Sequence, residues 1–276
     1  MSRHLDNKAL PEMFNHIFDD DGLFIYTNDI AKDIAAGNVA DISPVDKFGE
    51  TGNNIDSADG LVTVWDGVND ANADKVYTYP ATATIDTISS SSASDTEVIE
   101  IQGLDANYVG VVQNATLNGQ TKVVLATPLM RVFRMKNEGS ADLVGTVYCY
   151  EDGTISGGVP TTNSTIKAII TIGHNQTLMA IYTVAAGCTG YLYDFTPDSV
   201  AKVAGFLHGH LLIREFGGVF QVKRTWAVSS TGSSAFPYKF KRPLVIPEKS
   251  DIEFVVESSA NNMGCGLNFS LDLETN

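Results

Sequence analysis

The 276-residue chain is short of positive charge: 18 Lys and Arg stand against 33 Asp and Glu, a formal net charge of −15. Nucleic acid rewards clustered cations and repels such a field, so DNA and RNA drop out of the expected partners. Cysteine is scarce too. Cys149, Cys188 and Cys265 are odd in number and form no C-x-x-C pair, which argues against a disulfide framework and a structural zinc and predicts small buried thiols. No apolar run approaches the ~20 residues of a membrane helix. The opening "MSRHLDNKALPEMF" has neither the apolar stretch of a secretory signal nor the Arg-rich character of a transit peptide, which predicts synthesis in a cytosol. The two tryptophans, Trp65 and Trp226, lie far apart and do not suggest an aromatic platform for carbohydrate.

The acid is unevenly spread. Residues 1–105 hold 20 acidic and 5 basic side chains, whereas 106–276 hold 13 of each. Such a surplus suits solubility or docking onto a basic surface; a solvated acidic face with no partner is the plainer reading. From about Tyr77 onward, short stretches rich in Val, Ile, Thr, Tyr and Phe alternate with Gly, Asn, Asp, Ser and Pro. Strands are predicted at 81–89, 97–102, 108–117, 120–126, 130–137, 144–151, 165–172, 177–184, 189–195, 207–216, 218–228, 236–240, 251–257 and 266–273. No long helical pattern interrupts them, so the expected fold is all-β, an antiparallel, jelly-roll-like β-sandwich.

"LNGQ" (Asn118, Gly119), "YEDGT" (Asp152, Gly153) and "EFGGVF" (Gly217, Gly218) are hairpin signals, and Gly187 in "VAAGCT" is placed to end one strand and begin the next. Residues 1–76 read as an N-terminal arm. "KALPEMFNHIF" suggests one short helix and 28–36 another, with Asn28 or Asp29 as N-cap and Gly37 as its end. The sandwich region then runs over 77–276, as one sandwich or as two with a boundary near 151–165, the Gly- and Thr-rich "EDGTISGGVPTTNST".

Chemistry is thin. His208 and His210 form an H-x-H pair that a strand would aim to one side, with Glu215 the nearest carboxylate in sequence; a metal site is one reading, two histidines on a solvent face or interface the other. His174 reads as a turn residue. In the acidic loop 66–74, Asp70, Asn72 and Asp74 fit the first three ligand positions of an EF-hand, but Lys75 and Ala81 occupy the places of its glycine and its bidentate glutamate. The sequons at Asn114, Asn163, Asn175 and Asn268 matter only on a secretory route. No nucleophile elbow, phosphate loop or zinc-protease motif is present, so no catalytic, cofactor or metal residue is assigned.

The segments "FGETGNNIDSADGLVTVWDG", "LDANYVGVVQNATLNGQT", "RVFRMKNEGSADLVGTVYCY", "IITIGHNQTLMAIYTVAAGCTGYL" and "PLVIPEKSDIEFVVESS", taken in order, resemble virion structural proteins of tailed bacteriophages, a group common among marine phages. The resemblance implies a β-sandwich subunit of the particle, made in the host cytoplasm and carrying no catalytic residues. It would act as a capsid decoration (cement) protein or in the tail as a ring, adaptor or fibre-like receptor-binding subunit. The implied partners are other virion proteins (the major capsid protein or tail proteins) and further copies of the chain, a trimer by analogy with β-sandwich decorations. Where relatives carry Pro and Lys in the turn, this chain has Ala186 and Cys188. A carbohydrate-binding module or enzyme is the competing class.

Overall fold

Along Phe206–Arg214 every second residue is buried: Leu207, Gly209, Leu211 and Ile213 point one way and His208, His210 and Leu212 the other. That period of two is what a strand with one face on a core imposes. In the computed structural model, which describes residues 30–199, 203–230, 235 and 237–276 and the paired backbone of 18–19 with 22–23, the same logic repeats through four antiparallel sheets.

Two sheets form the first sandwich. One contains β1 (Ile42–Glu50), β13 (Cys188–Ser199), β16 (Tyr238–Ile246) and β18 (Cys265–Thr275), in the order β1-β18-β13-β16. The other contains β12 (Ile181–Thr183), β14 (Phe206–Arg214), β15 (Gln221–Ser229) and β17 (Asp251–Ser258), in the order β12-β17-β14-β15. The short β2 (Val62–Thr63) shares the free edge of β17 with β12: Val62 and Thr63 face Val256 and Val255, and Ile181 to Thr183 face Glu253 to Asp251. β2 and β12 are thus two halves of one interrupted strand. Counted so, the sandwich has the eight strands and paired Greek keys of a jelly roll. Its core is aromatic. Phe195 and Phe269 from one sheet meet Phe254 of the other at ring-centroid distances of 5.2 and 5.1 Å.

The interruption holds a second sandwich. One sheet runs β11-β8-β3-β6, with β3 (Ile85–Ser90), β6 (Val123–Leu129), β8 (Val147–Glu151) and β11 (Ile166–Ile170); the other runs β5-β4-β7, with β4 (Val98–Leu104), β5 (Gly110–Thr116) and β7 (Arg131–Asn137). The chain leaves and re-enters the jelly roll through adjacent crossings, Trp65 bridging to Met179 and the Ala180 amide donating to the Val64 carbonyl at 2.9 Å. Gly49 of β1 lies under both: a Cβ there would stand 2.3 Å from Ala180 N and 2.6 Å from Val64 O. No side chain fits at that approach.

Each of the predicted strands has a counterpart, β3–β8 and β11–β18. The arm reading fails for 42–76. β1 pairs along its whole length with β18, and Ile55, Val62, Val64, Trp65, Val68 and Ala73 belong to the core. Its signal was masked because β1 is an edge strand, where Pro44 is tolerated. The segment 151–165 is not a domain boundary; it carries the small ladder β9 (Ile155–Ser156) with β10 (Val159–Pro160) between strands of one sheet. Of the three hairpin signals only "EFGGVF" joins paired strands, β14 and β15, with Gly217 at φ 75°. Gly119 (φ 54°) and Gly187 (φ 73°) turn the chain from one sheet to another, as does "YEDGT" from β8 to β9. α1 (Ile30–Ala35) ends as expected, with Gly37 at φ 72° and Asn38 and Gly37 amides donating to the Asp33 and Ile34 carbonyls at 2.8 and 3.0 Å. Residues 8–17 of the earlier helix, "KALPEMFNHIF", and the Asn28 or Asp29 cap lie outside the described residues, and Phe18 at its end is extended, paired with Leu23. Cys149 and Cys265 are buried free thiols and Cys188 is half-buried.

Candidate functional site: a charged junction, its cleft and two charged surfaces

Where the sandwiches meet, two buried charges, Arg131 and Asp251, are joined by the half-buried Arg214. Arg131 opens β7 of the inserted sandwich, while Arg214 closes β14 and Asp251 opens β17 of the jelly roll. Asp251 Oδ1 accepts from Arg131 Nε at 2.8 Å and from the Thr183 hydroxyl at 2.7 Å; Oδ2 accepts from Arg214 Nε and Nη2 at 2.9 and 2.6 Å. Arg131 Nη1 also donates to the carbonyls of Pro80 and Met130 at 2.9 and 2.8 Å. The Arg214 guanidinium lies 4.6 Å from the ring centroids of both Tyr79 and Phe220. One carboxylate therefore ties two sandwiches together through two guanidinium groups, and these charge-assisted bonds offset its desolvation.

Two further ionisable groups are buried beside this junction. Lys47 of β1 donates to the Phe133 carbonyl across it; burial, reinforced by Arg134, lowers its ammonium to about 7 despite the Asp66 charge. Glu253 is 4% exposed and accepts from the Thr63 hydroxyl at 2.6 Å. Burial raises it to about 7, partly offset by the hydroxyls of Thr63 and Tyr79 and by Arg214, with Asp251 pushing it further up.

Above the ion cluster opens a cleft of about 290 Å³, lined by Tyr79, Tyr108, Arg214, Glu215, Phe216 and Lys249 among others. Tyr108 and Lys249 both sit in the left-handed region, at φ 62° and 58°. The corner between β12 and β13 holds them there: the Ala186 amide donates to the Tyr108 carbonyl and the Lys249 amide to the Val184 carbonyl, each at 2.8 Å. Asp105 Oδ1 accepts from the Asn107 and Val109 amides at 2.8 and 2.9 Å, fixing the turn that presents Tyr108.

The jelly roll also bears two charged surfaces. The outer strands β15 and β16 carry Lys223, Arg224, Lys239, Lys241 and Arg242, and among the described residues none of the five is in an ion pair. Arg224 joins the two strands, its Nε donating to the Tyr238 hydroxyl at 3.2 Å and its guanidinium lying 5.1 Å from the Phe240 ring. The outward face of the sheet β1-β18-β13-β16 carries Asp46, Glu50, Asp194, Asp198, Asp272 and Glu274, placed on one side by the register. None of these six is in an ion pair among the described residues.

The residues singled out in the sequence are mostly scattered. His208 and His210 do share a face, with ring centroids 4.7 Å apart, and His208 Nδ1 meets Glu257 Oε1 at 3.0 Å, whereas Glu215 lies at the cleft. No group of three or more His, Cys, Asp or Glu side chains is placed to hold a metal among the described residues. The acidic loop lines a surface hollow of about 360 Å³ with Asp56 and Lys75, but its carboxylates are spent within the fold: Asp70 accepts from Asn72 and from the Tyr148 hydroxyl, and the Leu178 amide donates to Asp66 at 3.0 Å. The His174 amide closes a turn on the Thr171 carbonyl. Trp65 and Trp226 are buried. Sequence reasoning missed Arg131, Arg214, Lys249 and Asp251 because they converge from segments up to 120 residues apart. The one local signal was "EFGGVF", a tight turn flanked by Phe216 and Phe220.

No helix among the described residues is long and apolar enough to cross a membrane. No protein-family model matches the chain, and no curated protein is similar to it at significance. Among solved structures it aligns with that of infectious bursal disease virus, Gx strain, at 10% identity and a TM-score of 0.24, over 85% of this chain and 72% of the other. The VP2 subviral particle of the same virus aligns at 11% identity and a TM-score of 0.22, over 84% and 71% of the two chains. Likeness at this level carries no argument about function.

Proposed function

We propose that the chain is a non-enzymatic structural subunit of a virion, a capsid decoration (cement) protein of a tailed phage that works as a homo-oligomer on the shell. The observation that carries this reading is the pair of unneutralised surfaces on the jelly roll, five cations along one edge and six carboxylates across one face. An open strand edge points within its sheet and a face points across it. A contact between the basic edge of one copy and the acidic face of the next is therefore heterologous, and such contacts form a ring where the rotation between copies closes. A trimer is the ring favoured here. Basic side chains on an outer strand also block indiscriminate strand pairing, so the edge is kept for a chosen partner.

Sedimentation velocity tests the assembly. The wild-type chain should associate at low salt and dissociate as salt screens the contact. The triple variant Lys239→Glu, Lys241→Glu, Arg242→Glu and the double variant Asp272→Lys, Glu274→Lys should each be monomeric, and an equimolar mixture should associate again. A wild-type chain that stays monomeric at every salt concentration and protein load would sink the reading. The tail reading, a ring, adaptor or receptor-binding subunit, is favoured by the cleft at the tip of the β14–β15 hairpin. Copy number in purified particles separates the two: high occupancy belongs to decoration, a few copies to the tail.

A further inference from the structure

We infer that the cleft between the two sandwiches is a binding site for a carboxylate-bearing saccharide. In a chain of net charge −15, this cleft gathers Arg131, Arg214 and Lys249 against only Asp251 and Glu215. Asp251 is consumed by the two arginines. Arg214 gives it Nε and Nη2, and neither Arg214 Nη1 nor Lys249 Nζ has a hydrogen-bond or ion-pair partner among the described residues. The free Nη1 of Arg214, whose charge is only half met because it shares Asp251 with Arg131, and the unpaired Lys249 ammonium thus face one concave space, and low-dielectric walls strengthen their field.

The apolar side of the cleft fits a sugar ring. Phe216 is 64% exposed, an unusual position for a phenyl group, and meets Tyr108 edge to face with centroids 5.6 Å apart. Lys249 Nζ lies 5.3 Å from the Phe216 centroid, so cation and ring form one continuous wall. A pyranose laid on Phe216 and Tyr108 would direct its carboxylate to Lys249 and Arg214 and its hydroxyls to the exposed Glu215. The space of about 290 Å³ suits one such residue of a longer glycan.

The backbone supports the assignment independently. A tyrosine and a lysine in the left-handed region each carry a conformational cost, and such strain persists where the surrounding structure over-determines it, as at ligand clamps. Here the β12–β13 corner imposes it on both, through the Ala186–Tyr108 and Lys249–Val184 bonds. The site shares no residue with the charged assembly surfaces and stands or falls without them.

The test is saturation-transfer NMR and titration of the full chain with sialyllactose, with lactose as the neutral control and a short poly-glutamate peptide as the anionic control. Sialyllactose should show transfer to its acidic ring and bind roughly tenfold more tightly than lactose, as a charge-assisted hydrogen bond implies. Lys249→Gly removes the ammonium at a backbone conformation glycine prefers, so it should melt no lower than wild type while losing about tenfold in affinity. Phe216→Ala should abolish transfer to the ring protons. The assignment is overturned if no saccharide binds, if lactose binds as well as sialyllactose, if Lys249→Gly binds as wild type does, or if only the peptide binds.

Discussion

Glu253→Gln should stabilise the protein at pH 8 and leave it nearly unchanged at pH 5. The wild-type carboxyl moves from an ordinary value of 4.5 to about 7 on folding, because burial beside Asp251 outweighs the Thr63 hydroxyl and the Arg214 charge. The folded state then holds more protons than the unfolded state between these values, so stability falls as pH rises through that window. At about 1.4 kcal/mol per unit, the ionised side chain costs about 3 kcal/mol above pH 7. The glutamine amide keeps an oxygen for the Thr63 hydroxyl, which now reaches Glu253 at 2.6 Å, and removes the charge. Urea denaturation of both proteins at pH 5, 6, 7 and 8 measures the effect. The stability difference should open in favour of the variant by about 2–3 kcal/mol between pH 5 and 8. Taking that difference cancels every other titrating group common to both chains. A variant equally destabilised at all four pH values would refute the reasoning, because it would show a carboxylate that the fold keeps for its hydrogen bonds.

Lys47→Met should flatten the alkaline side of the profile. The Lys47 ammonium falls from 10.5 to about 7, so the folded state binds fewer protons over that range and wild-type stability rises with pH by about 1.4 kcal/mol per unit, a rise the variant lacks in the same denaturation series. Arg131→Met removes one of the two guanidinium groups that hold Asp251 and should cost about 3–5 kcal/mol, with the loss of amide-exchange protection centred on β7 and β17. Gly49→Ala drives a methyl group against Ala180 N and Val64 O and should lower stability by about 2 kcal/mol or more, read by thermal melting. Phe254→Ala empties the centre of the jelly roll, where Phe195 and Phe269 close on it, at about 3–5 kcal/mol by chemical denaturation.

How much of this was legible in the sequence depends on whether the information was local. Strand alternation is local. "FLHGHLLIR" announces β14 because one side of it meets only core, and "IKAII" announces β11 because both sides do. Partnership between strands is not local, and the turns show why. Asn118-Gly119 and Ala185 to Gly187 have the composition of hairpin loops, yet their glycines serve corners that pass the chain between sheets; the left-handed residue fixes a reversal and says nothing about which strand lies beside the next. β1 shows the opposite failure. "ISPVDKFGE" looks like a loop because an edge strand tolerates Pro44, and because Gly49 answers to a backbone more than 100 residues away in sequence.

The segment "GHNQTLMAIYTVAAGCTGYLYDF" brings these together. Its run from Met179 to Val184 is buried throughout because it re-enters the jelly roll beside Val64 and completes the strand that β2 began. Its corner then spends two backbone groups, the Val184 carbonyl and the Ala186 amide, on Lys249 and Tyr108. Neither group carries a side-chain signature, and that is the physical reason the cleft was invisible in the sequence. Its most constrained residues are held by main-chain atoms of a turn whose own side chains are alanines, so the chemistry is displayed by one segment and specified by another.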